Sequence, residues 1–121
     1  MRIAVIEDER PIREGLVHIL NKISPEYQVV GSAENGREGL ILLEEQDPDL
    51  ILLDIQMPDM NGLQMLKEAR ERGSMTKVVI LTAYSDFDYA KKAIALGIEN
   101  YLLKPVNLTE LKNTLSKIKE E

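Results

Sequence analysis

Five short apolar runs recur along the chain, each separated from the next by a segment whose apolar residues fall at helical spacing. They cover residues 3–6, 28–33, 50–53, 78–81 and 100–103. Four are near-continuous Ile, Val and Leu, which predicts strands covered on both faces in a parallel sheet. The second is more polar and is expected at an edge. Strands alternating with helices predict one α/β domain over residues 1–121, doubly wound, with helices on both faces of the sheet. In such folds ligands bind beyond the carboxyl ends of the strands, so the residues that follow each run carry the chemistry.

The intervening segments punctuate themselves. Ile12, Leu16, Ile19, Leu20 and Ile23 share one helical face, and Pro11 suits a first turn. The second helix is expected to open at Asn35-Gly36 and to bury Leu40 and Leu43. Gly62, Met65, Leu66 and Ala69 share a face in the third, with Gly73 as its stop. The fourth is expected to begin at Ser85, paired with Asp88 in a near capping box, and to end at Gly97. The last starts at Asn107, with Glu110 three residues on, and should bury Leu108, Leu111, Leu115 and Ile118.

Several function classes drop out. There is no cysteine, hence no disulfide framework, thiolate nucleophile or thiolate metal site. A net charge of −6 argues against direct contact with a nucleic-acid backbone, which needs clustered Lys and Arg. The apolar runs are too short for a signal peptide core or a membrane span, and a cytoplasmic location is the expectation.

The strand ends converge on one kind of chemistry. Glu7 and Asp8 follow the first run, Asp54 the third, Thr82 the fourth and Lys104 the fifth. Two carboxylates about 4 Å apart repel by roughly 4 kcal/mol at an effective dielectric of about 20. Such a group either keeps a proton or binds a hard divalent cation. Oxygen donors without His or Cys favour Mg2+ or Mn2+. A carboxylate nucleophile, a hydroxyl and a lysine around that metal suit phosphoryl transfer.

Together, Ile6-Glu7-Asp8-Glu9, the stretch Leu53-Asp54-Ile55-Gln56-Met57-Pro58-Asp59-Met60-Asn61-Gly62, Leu81-Thr82-Ala83 and Tyr101-Leu102-Leu103-Lys104-Pro105 resemble the receiver domain of two-component response regulators. The resemblance spans essentially the whole chain and implies a five-stranded sheet of order 2-1-3-4-5. It implies Asp54 as the acceptor of a phosphoryl group from a sensor histidine kinase. By the same resemblance Asp8 and Asp54 hold Mg2+ (or Mn2+) by side chain, Glu7 acts largely through water, and Gln56 contributes its backbone carbonyl. Thr82 and Lys104 would contact the phosphoryl oxygens, a cis Lys104-Pro105 bond would aim the lysine inward, and Tyr101 would turn inward as Thr82 moves. Glu7 departs from the commonest pattern, which has Asp there.

The stretch Tyr84-Ser85-Asp86-Phe87-Asp88-Tyr89-Ala90 resembles, more narrowly, receivers attached to AraC-type DNA-binding modules. The chain is then expected to be the N-terminal part of a longer regulator, with a DNA-binding output domain outside it. Contact with that partner through the fourth helix and fifth strand is implied, as is a homodimer through the face from the fourth to the fifth helix. Neither nucleic acid nor membrane is expected to bind this domain directly.

Plainer readings stand beside these. Taken singly, Asp54 could be a turn or helix-cap residue, Thr82 a hydroxyl bonding its own backbone, Lys104 a solvated lysine and Tyr101 a half-buried strand aromatic. His18 is read as a surface or boundary residue. Asp59, Asn61 and Glu68 fall at calcium-loop spacing around Gly62, but Met57 would occupy the first ligand position, so calcium is rejected. Met57, Met60, Met65 and Met75 read as core and loop fillers. Two other functions remain in view. One is a phosphohydrolase with an aspartyl-phosphate intermediate, which the Gln56 side chain and the lack of a cap domain disfavour. The other is a stand-alone or phosphorylation-independent docking module. A signalling switch, rather than a turnover enzyme, is the leading expectation.

Overall fold

The computed structural model describes residues 1–83 and 87–120. Its strands are β1 (Arg2–Ile6), β2 (Gln28–Ala33), β3 (Leu50–Asp54), β4 (Lys77–Thr82) and β5 (Asn100–Leu103). Alternating with them are α1 (Arg10–Ile23), α2 (Gly36–Gln46), α3 (Gly62–Glu71), α4 (Phe87–Ala95) and α5 (Leu108–Glu120). The strands form one parallel sheet in the order β2-β1-β3-β4-β5.

Strict alternation along the central strands divides the core into two layers. Ala4, Ile6, Ile51, Leu53, Val78 and Ile80 face α2, α3 and α4, meeting Leu40, Met65, Leu66 and Ala93. Ile3, Val5, Leu50, Leu52, Val79 and Leu81 face α1 and α5, meeting Leu16, Leu20, Leu111 and Leu115.

Helix starts follow the expected chemistry. Asn35 Oδ1 accepts from Glu38 N–H at 2.9 Å, and Asn107 Oδ1 accepts from Glu110 N–H at 3.1 Å. Asn61 and Gln64 form a reciprocal capping box, with bonds of 2.8 and 2.9 Å. Each such cap contributes about 1 kcal/mol. Gly73 and Gly97, at φ 90° and 81°, end α3 and α4 in the left-handed region that glycine adopts without strain. The expected start of α4 at Ser85, together with Tyr84, Asp86 and Glu121, lies outside the described residues.

Two expectations need correction. β5 is an edge strand and is not covered on both faces: Tyr101 is 39% exposed and Leu103 47%. A run of apolar residues looks the same whether its outer edge is flanked or bare. Leu108 is 50% exposed because, as the first residue of α5, it precedes the stripe that reaches the sheet. Thr114 takes a buried place on that stripe instead, accepting from Asn100 Nδ2 at 3.4 Å.

Candidate functional site

β1 and β3 are neighbours, and the chain leaves them in opposite lateral directions, to β2 and to β4. A crevice forms at their carboxyl ends for that reason. Asp54 is the last residue of β3 and Glu7 follows the last residue of β1, and both are buried, at 2% and 0% exposure. Asp8 stands half-exposed beside them. One carboxylate oxygen from each of Glu7, Asp8 and Asp54 lies within 4.8 Å of the others.

Lys104 crosses from the end of β5 to meet them. Its Nζ donates to Glu7 Oε1 at 2.7 Å and lies 3.0 Å from Asp54 Oδ1. The Lys104-Pro105 peptide bond is cis. Asp54 Oδ1 also accepts from the N–H of Gln56 at 3.3 Å. Asp54 Oδ2 is buried and meets no hydrogen-bond partner among the described residues. A buried acceptor without a donor is costly, and it is the atom best placed to receive a proton, a cation or a transferred group.

The charges arrange themselves accordingly. Burial first, then hydrogen bonding and repulsion from Glu7, push the Asp54 carboxyl up to about 8 against the pull of Lys104. Glu7 is also raised by burial, but its bonds to Asp54, Lys104, Asp8 and the Glu9 N–H outweigh that and hold it low. Asp8 is raised, by burial and then by Glu7. Lys104 is lowered by burial but raised further by the two acids, so it stays charged. In the metal-free pocket one proton therefore resides between Glu7 and Asp54, on the Asp54 side, where fewer donors compensate a charge.

An all-oxygen donor set with an orphaned carboxylate oxygen fits a hard divalent cation such as Mg2+. Nothing in the group suits a soft metal.

Thr82 is buried at the end of β4, next to Leu81, the register partner of Asp54. Its hydroxyl donates to Ala83 O at 3.0 Å, the backbone role open to any strand-end threonine. Tyr101 lies on the exposed edge strand, its ring partly in solvent. His18 is exposed. The calcium-loop residues are otherwise engaged: Asp59 pairs with Arg37 at 2.7 Å, Asn61 caps α3, and Glu68 pairs with Arg72 at 2.7 Å.

Sequence reasoning passed over two supports of the site. A Cβ on Gly62 would sit 2.2 Å from Asp54 O, so only glycine lets α3 start against the end of β3, where Gly62 N–H bonds Ile55 O at 2.9 Å. A glycine at the first position of a helix was the available signal. Arg13 Nη1 donates to Glu7 O at 2.8 Å, with Asp8 O at 3.4 Å. Its spacing from the acids carries no such signal, because the contact needs the loop between them to be folded.

A family model described as "Response regulator receiver domain" matches residues 3–116. Among curated proteins, the Bacillus subtilis transcriptional regulatory protein YdfI is 35% identical over 94% of this chain and 53% of its own length. The uncharacterized transcriptional regulatory protein YesN of the same organism is 31% identical over 97% of this chain and 32% of its own. The chain thus spans between about a third and about half of the curated relatives it matches. Among solved structures, the REC domain of AraT, a response regulator from Geobacillus stearothermophilus, superposes with a TM-score of 0.88 at 36% identity. That match covers 98% of this chain and 92% of the other.

Proposed function

Because this chain belongs to the response regulator receiver domain family, a family of signalling modules, we propose that Asp54 is its phosphoryl acceptor and that a sensor histidine kinase supplies the group. The observation that carries the reading is the pairing at Asp54: Oδ1 is held by Lys104 at 3.0 Å while buried Oδ2 has no partner among the described residues. One oxygen is oriented and the other is left to react.

Glu7, Asp8, Asp54 and the backbone carbonyl of Gln56 are the groups that would hold Mg2+ or Mn2+. When bound, the ion supplies charge neutralisation to the phosphoryl oxygens. An Asp54 oxygen forms the new O–P bond as the N–P bond of a phosphohistidine breaks. Lys104 turns from the carboxylates to a phosphoryl oxygen, and Thr82 exchanges its bond to Ala83 O for another. Two new charge-assisted hydrogen bonds, at roughly 1.5–3 kcal/mol each, supply about 3–6 kcal/mol before the bonds that Lys104 and Thr82 give up are deducted. Moving a two-state equilibrium from 1:99 to 99:1 takes about 5.5 kcal/mol, so these two contacts shift it in part and a partner completes the switch.

Tyr101 would report the change by turning inward from its half-exposed position. The exposed apolar residues Ile94, Tyr101 and Leu103 lie on α4 and β5, and Leu108 begins α5. They support this face as the contact with an output domain or a second copy. YdfI and YesN are transcriptional regulatory proteins by name, which supports a gene-regulatory output domain outside residues 1–121; its AraC type rests on the resemblance carried by the stretch 84–90. No helix among the described residues is long and apolar enough to cross a membrane.

Intact-mass measurement after incubation with acetyl phosphate and Mg2+ tests the acceptor. Wild type should gain one phosphoryl group and Asp54→Ala none. An adduct of equal yield on Asp54→Ala would sink the assignment.

A further inference from the structure

The two acids contributed by the first strand-helix loop stand on backbone that has left the sheet. Glu7 N–H still bonds β2, donating to Ala33 O at 3.0 Å. Beyond that point the carbonyls of Glu7 and Asp8 follow the end of β1 at Ile6 and precede the start of α1 at Arg10. Arg13 reaches both from the beginning of α1, with Nη1 2.8 Å from Glu7 O and 3.4 Å from Asp8 O. Its own N–H is committed to the helix, bonding Glu9 O at 2.9 Å. One guanidinium nitrogen therefore contacts the two consecutive carbonyls of the residues that carry the two carboxylates.

We infer that Arg13 is a positioning residue for the divalent-cation site, holding the 7–9 loop so that Glu7 and Asp8 present their oxygens together. The inference rests on the metal-binding reading above. Groups hydrogen-bonded directly to metal ligands typically govern affinity by about 10–100-fold, and Arg13, acting through the backbone of the ligand residues, falls at the low end of that range. A lysine keeps the charge, but its strongly hydrated ammonium sits on a shorter arm than Nη1, so it holds the pair of carbonyls less well.

Charge and geometry make opposite predictions here. Arg13 is a cation close to a cation site, so if it acted through its field alone, removing it would tighten Mg2+ binding. If it acts by holding the loop, removing it weakens binding although an opposing charge has gone.

The test compares the full chain as wild type, Arg13→Ala and Arg13→Lys. Mg2+ affinity is read by titration at fixed pH and salt, and amide hydrogen exchange at Asp8 and Glu9 is read in metal-free protein. The expected result is a roughly tenfold weaker Kd for Arg13→Ala, an intermediate value of about threefold for Arg13→Lys, and faster exchange in both. Wild-type binding that Arg13→Ala leaves unchanged or tightens overturns the inference alone. Absence of any Mg2+ response in wild type overturns the metal reading and this inference with it. Should Arg13→Ala fail to fold, Arg13→Lys decides, because equal charge with wild-type affinity and exchange also overturns it.

Discussion

Lys104 Nζ lies 2.7 Å from Glu7 Oε1 and 3.0 Å from Asp54 Oδ1, so one ammonium joins acids at the ends of two different strands. The Lys104–Glu7 pair spans a sequence separation of 97. Removing the cation leaves buried Glu7 and Asp54 sharing one proton and one negative charge with no counter-charge beside them. Lys104→Met is expected to lower metal-free stability by about 1–3 kcal/mol, below the cost of breaking a fully buried pair because a proton compensates in part. Denaturant unfolding measures the loss, and saturating Mg2+ should narrow it.

The raised Asp54 carboxyl fixes the sign of a pH dependence. With the folded-state value near 8 and an ordinary value of 3.8, the folded protein binds more protons than the unfolded chain between them. Its contribution to metal-free stability is therefore full below about 4 and is lost as pH rises through about 8. Asp54→Asn should match wild type near pH 4 and exceed it by about 1–3 kcal/mol above pH 8, the cost of an uncompensated buried acceptor. Urea midpoints across that range, compared pairwise, isolate this group from the others.

Cation binding should follow the same proton. Because Asp54 must give up its proton before the pocket is fully anionic, Mg2+ affinity is expected to fall as pH drops from 8 to 6, by up to about tenfold per unit. Titration at constant ionic strength checks this. A pH-independent Kd would mean that the proton does not compete for the site.

Gly62→Ala places a Cβ where Asp54 O already stands, at 2.2 Å. Backbone cannot yield as a flexible side chain can, so a destabilisation of about 2–4 kcal/mol is expected. The acetyl-phosphate adduct should form more slowly even at temperatures where the variant is folded, since β3 must shift to admit the methyl group.

Thr82→Ala removes a buried hydroxyl bonded to Ala83 O. About 1 kcal/mol of stability should be lost. The adduct on Asp54 should still form, but the amide chemical-shift changes at β5 that accompany it in wild type should shrink.

The fold was largely legible because its periodicities are strong. Residues 28–33 and 100–103 are strands as read, and Gly62, Met65, Leu66 and Ala69 are the buried face of α3. Helix starts at Asn35 and Asn107 announce themselves through side chains that act on their own neighbours in sequence, and the Asn61 cap of α3 carried the same signal unread. Exposure was less legible. Leu103 and Leu108 are as apolar as their buried neighbours, and only the sheet order and the place of Leu108 at the very start of α5 put them in solvent.

The grouping of Glu7, Asp8, Asp54 and Lys104 could be anticipated because a parallel sheet brings all its carboxyl ends to one pole. Residue types and strand ends thus determined which groups share the site. The tertiary structure alone decided how the charge is divided among them: Glu7 gains the Lys104 and Glu9 donors, while Asp54 keeps an unmatched oxygen and hence the proton. It alone also decided that Gly62 must have no side chain and that Arg13 closes over the acidic loop. Local propensity depends on neighbours along the chain, whereas donor counts and desolvation depend on neighbours in space.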